Sequence, residues 1–229
     1  VYACENLLDQ YRKTDTDWTP EKETCLRRAI KESIRAYAQD TETARFLDMS
    51  QTFSLKVPLL RKIFPDARFV VQTRNPYATC IKEACDDAYE WRRETELERK
   101  LNIFAEHWRN TYRIALEDLQ NRDDAIIVHF EDLIDSPQFH LEEILDHTGL
   151  GFYPDMIPRP HHKAPWGGKS PQKWHPIRKD VNEKYLSSIP LEAVRIVDDT
   201  IGDIGYRLGY SAPDIKSLNT ESTQADSSL

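Results

Sequence analysis

The sequence predicts an α/β protein built on a parallel sheet. Three observations carry that expectation. Arg68–Thr73 holds Phe69, Val70 and Val71 directly after a Pro65-Asp66 turn signal, a short apolar run of strand formers. Ala125–Phe130, AIIVHF, is a second such run. Helical patterns follow both, and strands alternating with helices need crossover connections, which give parallel pairing.

In chain order, Tyr2–Tyr11 reads as a helix with Leu7, Leu8 and Tyr11 on one side, and Lys13–Thr19 as a polar turn. Pro20 opens a helix to about Ala38, with Cys25, Ala29, Ile30, Ser33, Ile34 and Tyr37 at helical spacing and Glu21 and Glu23 in its first turn. Ala44–Asp48 is a short strand candidate, and Ser54–Phe64 a helix that Pro58 starts or kinks. After the first strand, Tyr77–Arg93 carries helix formers with little interruption. Glu94–Gln120 is a long helix whose Leu97, Leu101, Phe104, Trp108, Tyr112, Ala115 and Leu119 form a core stripe. The second strand leads into Glu131-Asp132-Leu133, and Ser136-Pro137 begins a helix ending near Gly149. Residues 151–180 are irregular, proline-rich and basic. Leu191–Leu208 is a last amphipathic helix, stopped by Gly209. Residues 1–210 are expected to form a single domain, and the Ser/Thr-rich stretch 211–229 a disordered tail.

The organising stretch is Phe64–Lys82. Arg74 stands where the first strand ends, Asn75 suits a helix cap and Pro76 the first helical position. A cation at the carboxyl end of a strand, facing a helix N-terminus, is where anionic ligands bind in open α/β sheets. The same arginine also suits a structural salt bridge.

Composition narrows the function. The chain has 229 residues, 39% hydrophobic and 31% charged, with a formal net charge of -8. That balance argues against nucleic-acid binding over a broad basic surface. No apolar run reaches the roughly 18 residues of a membrane span. Cys4, Cys25, Cys80 and Cys85 form no CxxC pair, and no N-x-S/T acceptor is present, which points to a reducing, cytoplasmic setting. Gly167-Gly168-Lys169-Ser170 is not a P-loop, because it lacks the first glycine and prolines flank it, but it remains a flexible basic loop suited to a phosphate. His161-His162 lacks partners at metal-site spacing. His175 suits either packing or proton transfer. Glu131-Asp132 suits acid–base chemistry or, more commonly, the orientation of basic side chains.

FPDARFVVQTRNPYA resembles a segment shared by sulfotransferases, which move a sulfuryl group from 3′-phosphoadenosine 5′-phosphosulfate (PAPS) to an acceptor. His129-Phe130-Glu131-Asp132-Leu133 with Ser136-Pro137 resembles the family's Tyr-Glu-Asp-Leu segment, and Leu145–Leu150 its Leu-Gly-Leu helix end. The resemblance covers about residues 44–210. It implies a P-loop-like three-layer α/β/α fold with a central parallel sheet and many helices. It also implies Arg74 on the cofactor 3′-phosphate, and a basic loop over that phosphate at Lys163, Gly167, Gly168 and Lys169. Lys82 stands where the family usually has a serine, and in Asp48–Lys56, which resembles a run that many bacterial relatives carry ahead of this segment, Met49 and Gln51 replace a lysine and a proline.

Nothing before Asp48 resembles the loop that holds the 5′-phosphosulfate, so the first strand and that loop are expected upstream of residue 1. The resemblance implies a hydroxyl or amine acceptor on a small molecule, carbohydrate or peptide, in-line transfer without a metal, and a base among His175, Glu131 or the upstream portion. The rival readings are a degenerate, non-catalytic domain of the same fold used for binding and, behind it, a nucleotide kinase.

Overall fold

A computed structural model describes residues 2–37, 45–86, 90–120, 122–157 and 177–213. The elements are α1 (Glu5–Tyr11), α2 (Pro20–Tyr37), α3 (Val57–Ile63), β1 (Phe69–Thr73), α4 (Pro76–Ala84), α5 (Glu90–Glu94), α6 (Leu97–Leu119), β2 (Ala125–His129), α7 (Phe130–Asp135), α8 (Pro137–Thr148), α9 (Glu183–Leu186), α10 (Leu191–Ile201) and α11 (Asp203–Arg207). β1 and β2 pair as a two-stranded parallel sheet, and the fold is α/β. The described residues gather in two compact units. One runs to Phe69 and includes Glu106–Asp124; the other comprises Val70–Ala105 and the described residues from Ala125 onward.

In the first unit, α3 packs against α2 and against the short 3₁₀ turns Asp15–Asp17 and Gln51–Leu55. Ala3, Leu55 and Ile114 form its buried cluster, with Tyr2 and Leu8 against them. Two arginines tie separate stretches together. Arg12 forks onto Asp118 at 2.5 and 2.7 Å. Arg61 forks onto Asp124 at 2.7 and 2.6 Å, donates to the Asp118 carbonyl at 2.6 Å, and lies 5.2 Å above the Phe69 ring.

In the second unit, α4 is the packing centre. Pro76, Tyr77, Ala78, Cys80, Ile81 and Ala84 are all buried, and α9 and α10 lie against it. Ala193, Val194, Val197 and Ile201 present the buried stripe of α10. The Tyr77 hydroxyl, inside this layer, donates to Asp198 of α10 at 2.5 Å. Burial and then Asp198 push the Tyr77 phenol well above its ordinary range.

Several expected elements take a different form. Arg45–Asp48 is not a strand. The helix expected over Ser54–Phe64 is a 3₁₀ turn followed by α3, with Pro58 in the first turn of α3. The expected Tyr77–Arg93 helix stops at Ala84, and α5 is a separate short helix. The last amphipathic pattern is split between α10 and α11 at Gly202, whose φ of 57° and ψ of -139° suit glycine alone. Val70 and Ile127 keep 39% and 42% exposure, so neither strand is covered throughout, and β1 alternates in burial. The C-terminal stops behave as glycine chemistry requires. Gly149 has φ 69° at the end of α8. Gly209 has φ 78° after α11, and the Tyr210 N–H returns to the Gly205 carbonyl at 2.9 Å.

The Arg61–Asp124 pair generates a pH-dependent prediction. The Arg61 hydrogen bonds, aided by its charge, hold the Asp124 carboxyl below its ordinary value. A depressed carboxylate stabilises the fold fully above its unfolded value, near ~4, and loses that contribution as pH falls through the lower folded value. Asp124→Asn is therefore expected to cost about 1–3 kcal/mol in urea denaturation at pH 7. The gap to wild type should narrow below about pH 4; a gap that persists unchanged at pH 3 would contradict this reading.

Candidate functional site

The site starts from how β1 ends. Thr73, fully buried, is the last strand residue, and Arg74 and Asn75 make the turn into α4. Asn75 lies outside the helical region at φ -41° and ψ 118°, and its side chain accepts from the Ala78 N–H at 3.0 Å. Pro76 has no N–H to satisfy. The first turn of α4 is thus capped by its own sequence.

Around this turn stands a hydrogen-bonded group drawn from distant parts of the chain. Glu131, in the first turn of α7, accepts from the Asn75 backbone N–H at 2.9 Å and from the Asn182 Nδ2 at 2.5 Å on Oε1. Its Oε2 accepts from the Tyr210 hydroxyl at 3.0 Å, and that hydroxyl is 2.9 Å from the Thr73 hydroxyl. Arg74 enters through Asn182: its Nε donates to Asn182 Oδ1 at 2.9 Å. The guanidinium carbon lies 4.8 Å from the centroid of the Phe130 ring, within cation–π range. Asn182 is 9% exposed, immediately before α9. His129, the last residue of β2, contacts the Leu208 carbonyl at 2.9 Å through Nε2, and its ring lies 5.6 Å from that of Tyr210.

The arrangement fixes one cation at the carboxyl end of a strand by a hydrogen bond and an aromatic face. Arg74 directly follows the last residue of β1, where the sequence puts the end of the strand. Glu131 has both carboxylate oxygens engaged by donors. Lys82 lies in the last turn of α4, 41% exposed, with its ammonium 2.6 Å from Glu83. Glu83 also receives Arg92 at 3.1 Å. Burial alone would raise the Glu83 carboxyl, but Lys82 and then Arg92 outweigh it and hold the group below its ordinary value. Lys163, Gly167, Gly168, Lys169 and His175 lie outside the described residues. Asn182 and Tyr210 were not anticipated. They stand 108 and 137 positions from Arg74 and Thr73, and no local pattern marks either one.

Among the described residues no group of three or more His, Cys, Asp and Glu side chains is placed to hold a metal, and no helix is long and apolar enough to cross a membrane.

Comparisons with known proteins bear on the family and on the fold. The profile described as "Sulfotransferase family" matches residues 5–155. The structure is similar to the sulfotransferase domain from the olefin synthase of Synechococcus PCC 7002, with a TM-score of 0.60 and 21% identity over 87% of this chain and 73% of that one. It is also similar to the sulfotransferase domain from the curacin biosynthetic pathway, with a TM-score of 0.57 and 16% identity over 80% of this chain and 69% of that one. No curated protein sequence matches the chain.

The cap generates a prediction. Asn75→Ala is expected to lower stability by about 1 kcal/mol, while Asn75→Ser keeps most of it. Equal urea midpoints for wild type and Asn75→Ala would show that the cap contributes nothing to the turn holding Arg74.

Proposed function

The chain belongs to the sulfotransferase family, and we propose that it transfers a sulfuryl group from PAPS to a hydroxyl or amine acceptor, with Arg74 binding the 3′-phosphate of the donor. The observation that carries this reading is the end-of-strand arginine oriented by Asn182 and Phe130. A guanidinium fork meets a phosphate with two parallel N–H···O bonds, and a fixed fork loses less freedom on binding than a mobile one. Phosphate binding here rests on Arg74 more than on the helix end. Pro76 has no N–H, Ala78 donates to the cap and Asn75 donates to Glu131.

In-line sulfuryl transfer breaks the bond between the donor's bridging oxygen and sulfur as the acceptor oxygen or nitrogen bonds to sulfur. The acceptor's proton passes to a base, and adenosine 3′,5′-bisphosphate leaves with the charge that cations must stabilise. What this chain's described residues supply is anchoring of the donor at its 3′ end. Glu131 acts in that anchoring; serving as the proton acceptor would cost it hydrogen bonds from Asn182, Asn75 or Tyr210. Lys82, Lys163 and Lys169, with the backbone of Gly167 and Gly168, are the other groups proposed to meet donor phosphates, and His175 is the base left to test.

Arg74→Ala is expected to weaken adenosine 3′,5′-bisphosphate binding at least about tenfold in calorimetry, the loss of one charge-assisted pair. Arg74→Lys should recover only part of that, because an ammonium lacks the fork. An Arg74→Ala variant that binds as wild type does would remove this assignment.

A further inference from the structure

We infer that Asn182 is a positioning residue for Arg74, holding its guanidinium through the Glu131 carboxylate and making binding of the anionic 3′-phosphate depend on chain beyond the family match. This inference rests on the proposed role of Arg74. The family match ends at residue 155, whereas Asn182 and Tyr210 lie past it.

The argument is one of donors and acceptors. An asparagine amide has one oxygen that accepts and one nitrogen that donates. Here Oδ1 accepts from Arg74 Nε and Nδ2 donates to Glu131, so both neighbours impose the same orientation on the amide. Glu131 cannot turn away without abandoning Tyr210 and the Asn75 N–H. Tyr210 in turn meets the buried Thr73, the residue before Arg74. The chain therefore restrains Arg74 through its side chain and through the residues on both sides of it. Asn182 is nearly buried, so truncating it leaves Arg74 Nε and Glu131 Oε1 each short of a partner where water has poor access. Without that bond the guanidinium is less restrained, and the phosphate must then supply more of its orientation.

Aspartate is the informative substitution. Asn182→Asp keeps the acceptor for Arg74 but sets an oxygen 2.5 Å from Glu131 in place of the donor nitrogen. Two carboxylates that close resist ionising together, so the pair takes up a proton at a higher pH than a lone carboxylate would and regains the missing donor as pH falls. Arg74 on Asn182 and Tyr210 on Glu131 contact the pair in both proteins, so the variant-to-wild-type ratio at each pH isolates the substituted position.

The experiment measures adenosine 3′,5′-bisphosphate affinity and melting temperature from pH 5.5 to 8 for wild type, Arg74→Ala, Asn182→Ala and Asn182→Asp in the full chain. Nitrogen-15 spectra record solvent exchange of the Arg74 Nε–H without ligand. Asn182→Ala is expected to bind about 5- to 30-fold more weakly at every pH, the range of one lost bond to a charged group. Asn182→Asp should be similarly weak at pH 8 and recover to within about threefold of wild type near pH 5.5, through the restored hydrogen bond. Arg74 Nε–H exchange should accelerate in Asn182→Ala, a readout needing neither ligand nor activity. The inference is overturned if Asn182→Ala binds normally while Arg74→Ala does not, if the Asn182→Asp deficit is flat with pH, or if Nε–H exchange is unchanged. If instead Arg74→Ala binds normally but the exchange signature appears, the proposed role of Arg74 fails and the contact stands as purely structural.

Discussion

A carboxylate that is not fully exposed needs hydrogen-bond donors, and the geometry around Arg74 follows from how Glu131 obtains them. It takes one from the backbone at residue 75, one from Asn182 and one from Tyr210. These donors come from the turn after β1, the segment before α9 and the stretch after α11. For Glu131 to be satisfied, three stretches far apart in sequence must converge on the first turn of α7. Their convergence sets where β1 may end and where the arginine after it must point.

The helix that follows is bound by the same constraint. α4 carries the densest burial in its unit, and Tyr77 ties its first turn to Asp198 on α10. A helix N-terminus attracts anions through unsatisfied N–H groups. Here two donors at this end are committed internally, the Ala78 N–H to the Asn75 side chain and the Asn75 N–H to Glu131. The field that remains for a ligand is the charge of Arg74 with a share of the helix dipole. That differs from a glycine-rich cradle, where backbone N–H groups do the binding. It makes the site sensitive to the orientation of a single side chain.

The sequence displayed what depends on neighbours along the chain and concealed what depends on neighbours in space. Strand formers after a Pro-Asp turn, Asn-Pro at a helix start, and glycines at residues 149 and 209 each act within a few residues, and each element appears where those signals stand. The break at Gly202 was hidden because the apolar period of α10 continues through α11 and masks a glycine whose backbone no other residue would adopt. Arg45–Asp48 reads as a strand from its apolar pair, yet Phe46 and Leu47 are 60% and 80% exposed and no strand forms there. Asn182 has no local signature at all, since one asparagine before a short helix is commonplace. Only the arginine and the carboxylate that it touches give it significance.

The choice of an amide between Arg74 and Glu131 has its own logic. A carboxylate bonded directly to the guanidinium would fix its orientation equally well, but would spend on an internal partner the charge that an incoming phosphate needs. An apolar neighbour would leave the charge uncommitted and the side chain loose. Asn182 accepts from Nε without bringing a formal charge, and the Phe130 face restrains the plane of the fork from the side. Glu131 then holds the amide from behind, one residue removed from the cation. Asn182 and Phe130 thus orient the guanidinium without adding a formal charge beside it. A fork oriented this way loses less freedom when it meets a phosphate, which is what recognition at the end of a strand gains from it.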